Sequence, residues 1–469
     1  MRELESIVGY IHFKDSEFPF LFEKDSFRLT LIPANYSLCK ELQHEWIPAP
    51  NGKGEDGWLK HIELDGITRD NNSIKFYCLE SYAIQHGCYC FRVEWLAYSK
   101  AGYDLNAIDG YKIIGGEIDL FYPPQQVLFY DYQFDDNDHI TELSVTAKAQ
   151  DYESCGSYFL NGIANTIEVS AIGYSSTDRT KSPLLAKSTM KVSFSQSTDL
   201  VYTIDSIHWL GMFFEYITFR KNIDIHDIEL FWKNEDGLTV SNGRLILNPP
   251  LRFEENKKRF ERIIQYKFLG ENCAKLIDLF SNKVLTVRGI RESIEQHRSH
   301  TPATIIMTLG SFEREYRFIY GQDYKRSGVY IEIKQLVLDT IDSLIEINTG
   351  KRKRALKEIY DKVYKFDNSF SNMVYHTLND CNDIMDPFIK REYGENSDSI
   401  RKSIGRRLNE LRNEVAHCKL DIEYTPEHLK DLRIIEVLTY AIRLNNIGIE
   451  KSKIQNALNS LFNYYLIFP

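Results

Sequence analysis

The stretch GRLILNPPLRFEENKKRFERIIQYKFLG, residues 243–270, carries two different hydrophobic periods on the two sides of one proline pair. Before Pro249 and Pro250, RLILN belongs to a pattern in which apolar and polar residues alternate, the period of a strand with one buried face. After the pair, Phe253, Phe260, Ile264 and Phe268 return at spacings near 3.6, the period of a helix. Proline donates nothing to a sheet ladder and disfavours helix in the residue before it, so the pair separates two kinds of structure.

Reading towards the N-terminus, the alternating pattern persists. SFRLTLI from 26, SIKFYCLE from 73, CFRVEWLAY from 90, GGEIDLFY from 115, ITELSVTAKA from 140, STMKVSFSQ from 188, IELFW from 228 and RLILN from 244 are expected strands. RDNNS at 69–73, DDNDH at 135–139 and SSTDRTKSP at 175–183 are expected turns, and Pro123-Pro124 is a strand terminator. SIHWLGMFFEYITFR from 206 is the expected helix of this half. Many short strands separated by polar turns indicate a sandwich or a barrel, whose connectivity the pattern leaves open.

Reading towards the C-terminus, amphipathic helical segments follow one another. They are RFEENKKRFERIIQYKFLG, NCAKLIDLFSNKV, LGSFEREYRFIYG, YIEIKQLVLDTIDSLIEI, RKRALKEIYDKVYKF, FSNMVYHTLNDCNDIMDPFIKREY, DSIRKSIGRRLNELRNEVAH, PEHLKDLRIIEVLTYAIRLNN and IQNALNSLFNYYLIF. Thr425 before Pro426 has the form of an N-cap, and Leu429, Leu432, Val437, Tyr440, Ala441 and Leu444 make an apolar stripe behind it. The expected fold is therefore α+β and multidomain: a β-rich domain over 1–250, a helical connector over 251–300 and an all-α bundle over 301–469.

A chain of 469 residues exceeds what one core organises, which agrees with that division. The longest apolar runs are too short to span a bilayer, and the first residues lack the apolar core of a secretory leader. Eight cysteines without C-x-x-C spacing fit reduced thiols, so a cytoplasmic location is expected. The net charge of -10 argues against coating nucleic acid by bulk electrostatics. Residues 301–469 hold 25 Lys and Arg against 24 Asp and Glu, so the acidity belongs to the front of the chain. RNA, if bound, is expected at the near-neutral C-terminal part.

The chemical signal is RRLNELRNEVAHCKL, residues 406–420. Leu408, Leu411, Val415 and Cys418 define a buried stripe, which leaves the other face to Arg412, Asn413 and His417. Asn413 and His417 are four apart and stand one above the other; Arg412 lies one step round the helix. A guanidinium holds a phosphate by two hydrogen bonds, an imidazole exchanges protons near neutral pH, and an amide orients either. These are the parts needed to cleave a phosphodiester, with no carboxylate cluster beside them to hold a divalent ion. Arg and His at this spacing also recur by chance on solvated helix faces, so the spacing alone decides nothing.

Context adds to it. LRNEVAHC, late in an all-α segment, resembles the Arg-x4-6-His motif of the HEPN superfamily, in its Arg-Asn-x-x-x-His form. A β-rich front half joined to such a bundle is similar to the ApeA-like family of bacterial anti-phage abortive-infection proteins. The resemblance implies a metal-independent endoribonuclease whose two protomers pair their motif helices into one composite cleft. Arg412 would stabilise the scissile phosphate, His417 would act as general acid or base, and Asn413 would support them. Attack by the ribose 2'-hydroxyl would leave a cyclic phosphate, with no cofactor. The resemblance further implies host transfer RNA as substrate, near the anticodon, and toxicity that halts phage growth. The alternative is a non-catalytic HEPN scaffold that binds nucleotides, RNA or protein. Cys418 departs from the small residue, often Gly, that follows the family's His.

Other residues are weaker candidates. Arg406 and Arg407, upstream of the motif, are candidate contacts to the RNA backbone, equally readable as a solvated basic face. KRKR at 351–354 reads as a solvated helix start, although cations there hint at an outside partner. Glu313 and Glu315 are candidate neighbours of His417 or members of ordinary salt bridges. His297 and His300 read as linker residues, with no third ligand nearby for a metal. No phosphate loop, serine elbow or two-His zinc motif marks the front domain. Its aromatics (Phe91, Trp95, Tyr98, Phe121, Tyr122, Phe129 and Tyr130) read mainly as core, and the domain as a sensing module for a phage component or partner that restrains the nuclease.

Overall fold

A computed structural model describes residues 6–13, 16–33, 61–85, 87–175, 184–249, 262–285, 289–321, 328–365, 369–417 and 424–468. The chain forms two compact units. The first comprises 1–214, 222–254 and 273–281; the second comprises 215–221, 255–272 and 282–469.

The first unit is built on one antiparallel sheet of twelve strands. Strands β1 (Ser6–Phe13), β2 (Ser16–Glu23), β3 (Arg28–Leu31), β4 (His61–Thr68), β5 (Ser73–Gln85) and β6 (Cys88–Ser99) close into a barrel. Closure depends on β6, one of the two long strands of the set. One of its edges pairs with β5 from Cys88↔Gln85 to Ser99↔Ser73. Its other edge is divided: Tyr89 to Arg92 pair with β3, and Trp95 to Ser99 pair with β14 (Thr239–Leu247). The barrel and the rest of the sheet thus share one strand. Alternation in β2 sends Phe18, Phe20 and Phe22 inward, where they meet Phe76, Phe91 and Leu29. Each such aromatic contributes roughly 1.5–3 kcal/mol through burial.

Beyond β14 the sheet continues as β13 (Asp227–Lys233), β7 (Ile108–Ile114), β12 (Leu184–Thr198), β11 (Ile163–Ser175) and β10 (Gln150–Leu160). Helix α2 (Leu200–Thr218) lies on it up to Phe214. Ser206 shares hydrogen bonds with Tyr111 of β7 at 3.1 Å and Tyr158 of β10 at 2.8 Å, and Asn165 of β11 donates to the Tyr202 hydroxyl at 2.7 Å. GGEIDLFY, expected as a strand, contains helix α1 (Glu117–Phe121) instead. Gly115 and Gly116 take positive φ, turning the chain before Glu117, whose carboxylate is buried and accepts from the Asp224 N–H at 3.0 Å.

A separate ribbon, β8 (Leu128–Phe134) with β9 (Ile140–Ala147), turns at the expected DDNDH. Its cross-strand pairs Tyr130↔Val145, Tyr132↔Leu143 and Phe134↔Ile140 give one apolar face, and every member is exposed. Phe129 is exposed as well, whereas Phe91, Trp95, Phe121 and Tyr122 are core.

After the short α3 (Tyr266–Leu269), helix α4 (Asn272–Ser281) carries Cys273, Leu276, Ile277 and Phe280 into the first unit. The second unit is a helical bundle of α5 (Pro302–Tyr320), α6 (Gly328–Ile347), α7 (Gly350–Lys365), α8 (Phe370–Asp380), α9 (Asn382–Tyr393), α10 (Asp398–Ala416), α11 (Pro426–Asn446) and α12 (Lys451–Phe462). Of the expected helix over 252–270, residues 252–261 lie outside the described ones, 262–265 are not helical, and α3 alone is helix. The expected helix over 370–393 is broken at Cys381, where Asp380, Cys381 and Asn382 combine three poor helix formers.

Helix α11 begins as expected, with Thr425 capping and His428 completing a capping box. The expected single apolar stripe is too narrow a description. Leu432, Ile434, Ile435, Val437, Leu438, Tyr440, Ala441, Ile442 and Leu444 are all buried, so α11 is enclosed on every side, while Leu429 is exposed. Its buried charges are paired within the unit: Asp431 with Arg407, Glu436 with Arg291, Arg443 with Glu315. By contrast α6 and α7 pack on each other and leave Val329, Ile331, Leu336 and Ile347 exposed. Among the described residues no helix is long and apolar enough to cross a membrane.

Candidate functional site

Helix α10 starts from a Ser397 cap and buries Ile404, Leu408, Leu411 and Val415. Gly405 sits where α10 crosses α8: a Cβ there would lie 2.5 Å from the Ser371 carbonyl oxygen. A side chain at 405 would push the two helices apart, so the glycine sets how deeply α10 is seated. Cys418 lies outside the described residues.

With that stripe buried, the three motif residues emerge together at the C-terminal end of α10. His417 is the C-cap, its backbone N–H donating to the Asn413 carbonyl at 3.0 Å, and both side chains are exposed. Arg412 is half-buried and held from two sides. Its Nη2 lies 2.7 Å from Glu313 Oε2 on α5, and its guanidinium carbon stands 5.2 Å from the centre of the Phe370 ring at the start of α8. Glu313 also accepts from Arg317 at 2.7 Å, so one carboxylate serves two arginines. Glu313, expected either as a neighbour of His417 or as a member of an ordinary salt bridge, pairs with Arg412. Glu315 points the other way, into the core, against Arg443 with Nε–Oε2 of 2.6 Å. Burial pushes the Glu315 carboxyl up, and Arg443 opposes the shift.

Arg406 and Arg407 diverge. Arg406 is exposed. Arg407 turns inward, where Nε and Nη2 grip the fully buried Asp431 carboxylate at 2.7 and 2.8 Å, and Nη2 also donates to the Tyr393 hydroxyl at 3.0 Å. Arg407 fastens α10 to α9 and α11, which corrects the expectation of a residue presented to RNA. Lys351, Arg352 and Arg354 are exposed at the start of α7.

The largest correction concerns His297 and His300, which are not linker residues. They line a cavity of about 440 Å³ in the helical unit, together with Arg262, Lys430 and Arg433. Arg262 Nη1 lies 2.8 Å from His297 Nδ1, and His297 Nε2 lies 2.9 Å from the Phe219 carbonyl oxygen. Burial, reinforced by Arg262, pushes the His297 imidazole down to about 3, so it stays neutral, donating from Nε2 and accepting at Nδ1. No sequence spacing announces this cluster, because Phe219, Arg262, His297 and Lys430 come from four distant segments. Among the described residues no group of three or more His, Cys, Asp or Glu is placed to hold a metal ion.

No family model matches the chain, and neither the curated proteins nor the solved structures contain a match.

Proposed function

We propose that the helical unit is a HEPN-like endoribonuclease that acts without a metal ion, with Arg412, Asn413 and His417 as its site. The observation that carries this reading is their joint emergence at one end of α10, with Arg412 oriented by Glu313 and Phe370 while Asn413 and His417 face solvent. In this reading His417 removes the proton of a ribose 2'-hydroxyl or returns one to the 5'-oxygen leaving group. Arg412 stabilises the charge on the phosphate, and Asn413 positions either. One helix end supplies one such set, so a second copy of the chain would complete both proton transfers. The exposed apolar residues of α6 support such pairing. The resemblance to ApeA-like proteins extends the proposal to transfer RNA as substrate, cytoplasmic action in anti-phage defence, and a sensing role for the β-rich unit. The exposed apolar face of the β8–β9 ribbon supports that last role.

The second reading, a non-catalytic scaffold, draws on the Arg412–Glu313 pair, which a purely structural arginine would also make. Incubating the purified protein with total RNA in excess chelator, beside Arg412→Ala and His417→Ala, separates the two. New 2',3'-cyclic phosphate ends with the parent and none with either variant support the nuclease. Cleavage that survives in both variants overturns the assigned site.

A further inference from the structure

We infer that the cavity beside α11 is a binding site for a small aromatic anion, an aryl phosphate being the simplest member of the class. The cavity lies wholly within the helical unit, and its volume of about 440 Å³ falls in the range of small-molecule pockets, roughly 300–1,000 Å³. Its wall divides by chemistry. Phe219 and Phe462 pack edge to face at 5.4 Å, and with Tyr464 they form an apolar side that suits a ring. Arg262, Lys430 and Arg433 form the charged side.

The charged side is organised in advance. His297, tied to the Phe219 carbonyl, fixes the Arg262 guanidinium through its Nδ1 lone pair. Arg433 lies 4.6 Å over the Tyr464 ring and pairs with Glu392 at 2.8 Å, so it is held flat against the wall. Lys430 stands 5.4 Å from the Tyr393 ring centre. Among the described lining residues both carboxylates are already matched, Glu392 by Arg433 and Glu436 by Arg291 at 3.3 Å, which leaves Lys430 as surplus positive charge beside Arg262. A wall with surplus positive charge next to an apolar floor selects a ligand that carries both a ring and an anion.

The test is calorimetric titration of the full chain with phenyl phosphate, inorganic phosphate and phenol. One saturable site per chain for phenyl phosphate is expected, with the other two probes weaker by about tenfold or more, as each lacks half of the contacts. Lys430→Gln, partly exposed and removable without loss of fold, and Arg262→Gln should each weaken binding about tenfold at unchanged melting temperature. His417→Ala should bind as the parent does, which separates this site from the nuclease reading. No saturable binding of phenyl phosphate, equal binding of inorganic phosphate, or full affinity in Lys430→Gln overturns the proposal.

Discussion

Arg412 and Glu313 form a 2.7 Å ion pair across α10 and α5, and the same carboxylate accepts from Arg317. A guanidinium held this way is aimed but also neutralised, so in the nuclease reading phosphate and Glu313 compete for it. Glu313→Gln should therefore keep RNA cleavage at or above the parent level. Arg412→Ala should lose about 100-fold or more, the scale of removing one charge-stabilising donor. Both are read from initial cleavage rates on one RNA; an equal loss in the two variants would show that Glu313 is required to position Arg412.

His417 makes its hydrogen bond to α10 through the backbone, and its ring is exposed. Replacing it with Ala should leave the melting temperature within about a degree or two, since surface changes usually stay within about 0.5 kcal/mol. In the nuclease reading cleavage should fall by about 100-fold to 10,000-fold, the range for loss of a general acid or base. A parallel drop in melting temperature would assign His417 to the fold and not to the chemistry.

Arg406 and Arg407 are neighbours with opposite consequences. Arg407→Ala strands Asp431, buried completely, without its counter-ion, and should cost about 3–5 kcal/mol of stability in denaturant unfolding. Arg406→Ala should cost less than about 0.5 kcal/mol. In the nuclease reading it should also flatten the salt dependence of RNA binding by about one ion. Reversed stabilities would refute the division of labour between them.

How much of this was legible beforehand depends on what kind of signal each feature leaves. The Thr425 cap and the stripe of Leu408, Leu411 and Val415 are local, and the structure keeps both; the change of period at Pro249–Pro250 is local too, but residues 250–261 lie outside the described ones. Strand β2 is hidden by Pro19, a residue usually excluded from central strands but accommodated here opposite Tyr10. Barrel closure rests on one long strand changing partners halfway along, which no alternation reveals. The EIDLF segment spaces its apolar residues in a way that suits strand and helix alike, and paired glycines decided it. Of the motif trio, exposure of Asn413 and His417 followed from helix phase. The grip on Arg412 did not, since Glu313 is 99 residues away. The inward turn of Arg407 leaves no local signal, because nothing in its sequence neighbourhood reports the buried Asp431.

His297 gives the helical unit a pH signature. Its imidazole is pushed from the ordinary 6.5 down to about 3 in the fold, so the unfolded chain takes up a proton first as pH falls. Stability from this group is complete above about pH 6.5 and is lost progressively below it, by about 1–2 kcal/mol between pH 7 and pH 5. Glu215 and Glu436, both pushed up to about 7 by burial, act with the opposite sign. Comparing denaturant midpoints of the parent with those of His297→Gln at each pH cancels the two carboxyls. A difference that stays constant from pH 7 to pH 5 would show that His297 titrates alike in the folded and unfolded chain.

The chain enters the helical unit at Glu215–Lys221, leaves it, returns, and lends Cys273–Ser281 to the β-rich unit before settling into the bundle. The short first visit is not dispensable: Tyr216 stacks on Tyr440 at 4.3 Å, and Phe219 supplies the carbonyl that orients His297. A genetic exchange with its crossover at residue 250 would hand on a bundle without those rings and a sheet without α4. Ancestry can therefore shuffle these two halves only as a set, so their descent is expected to be shared even though their structures are of different kinds.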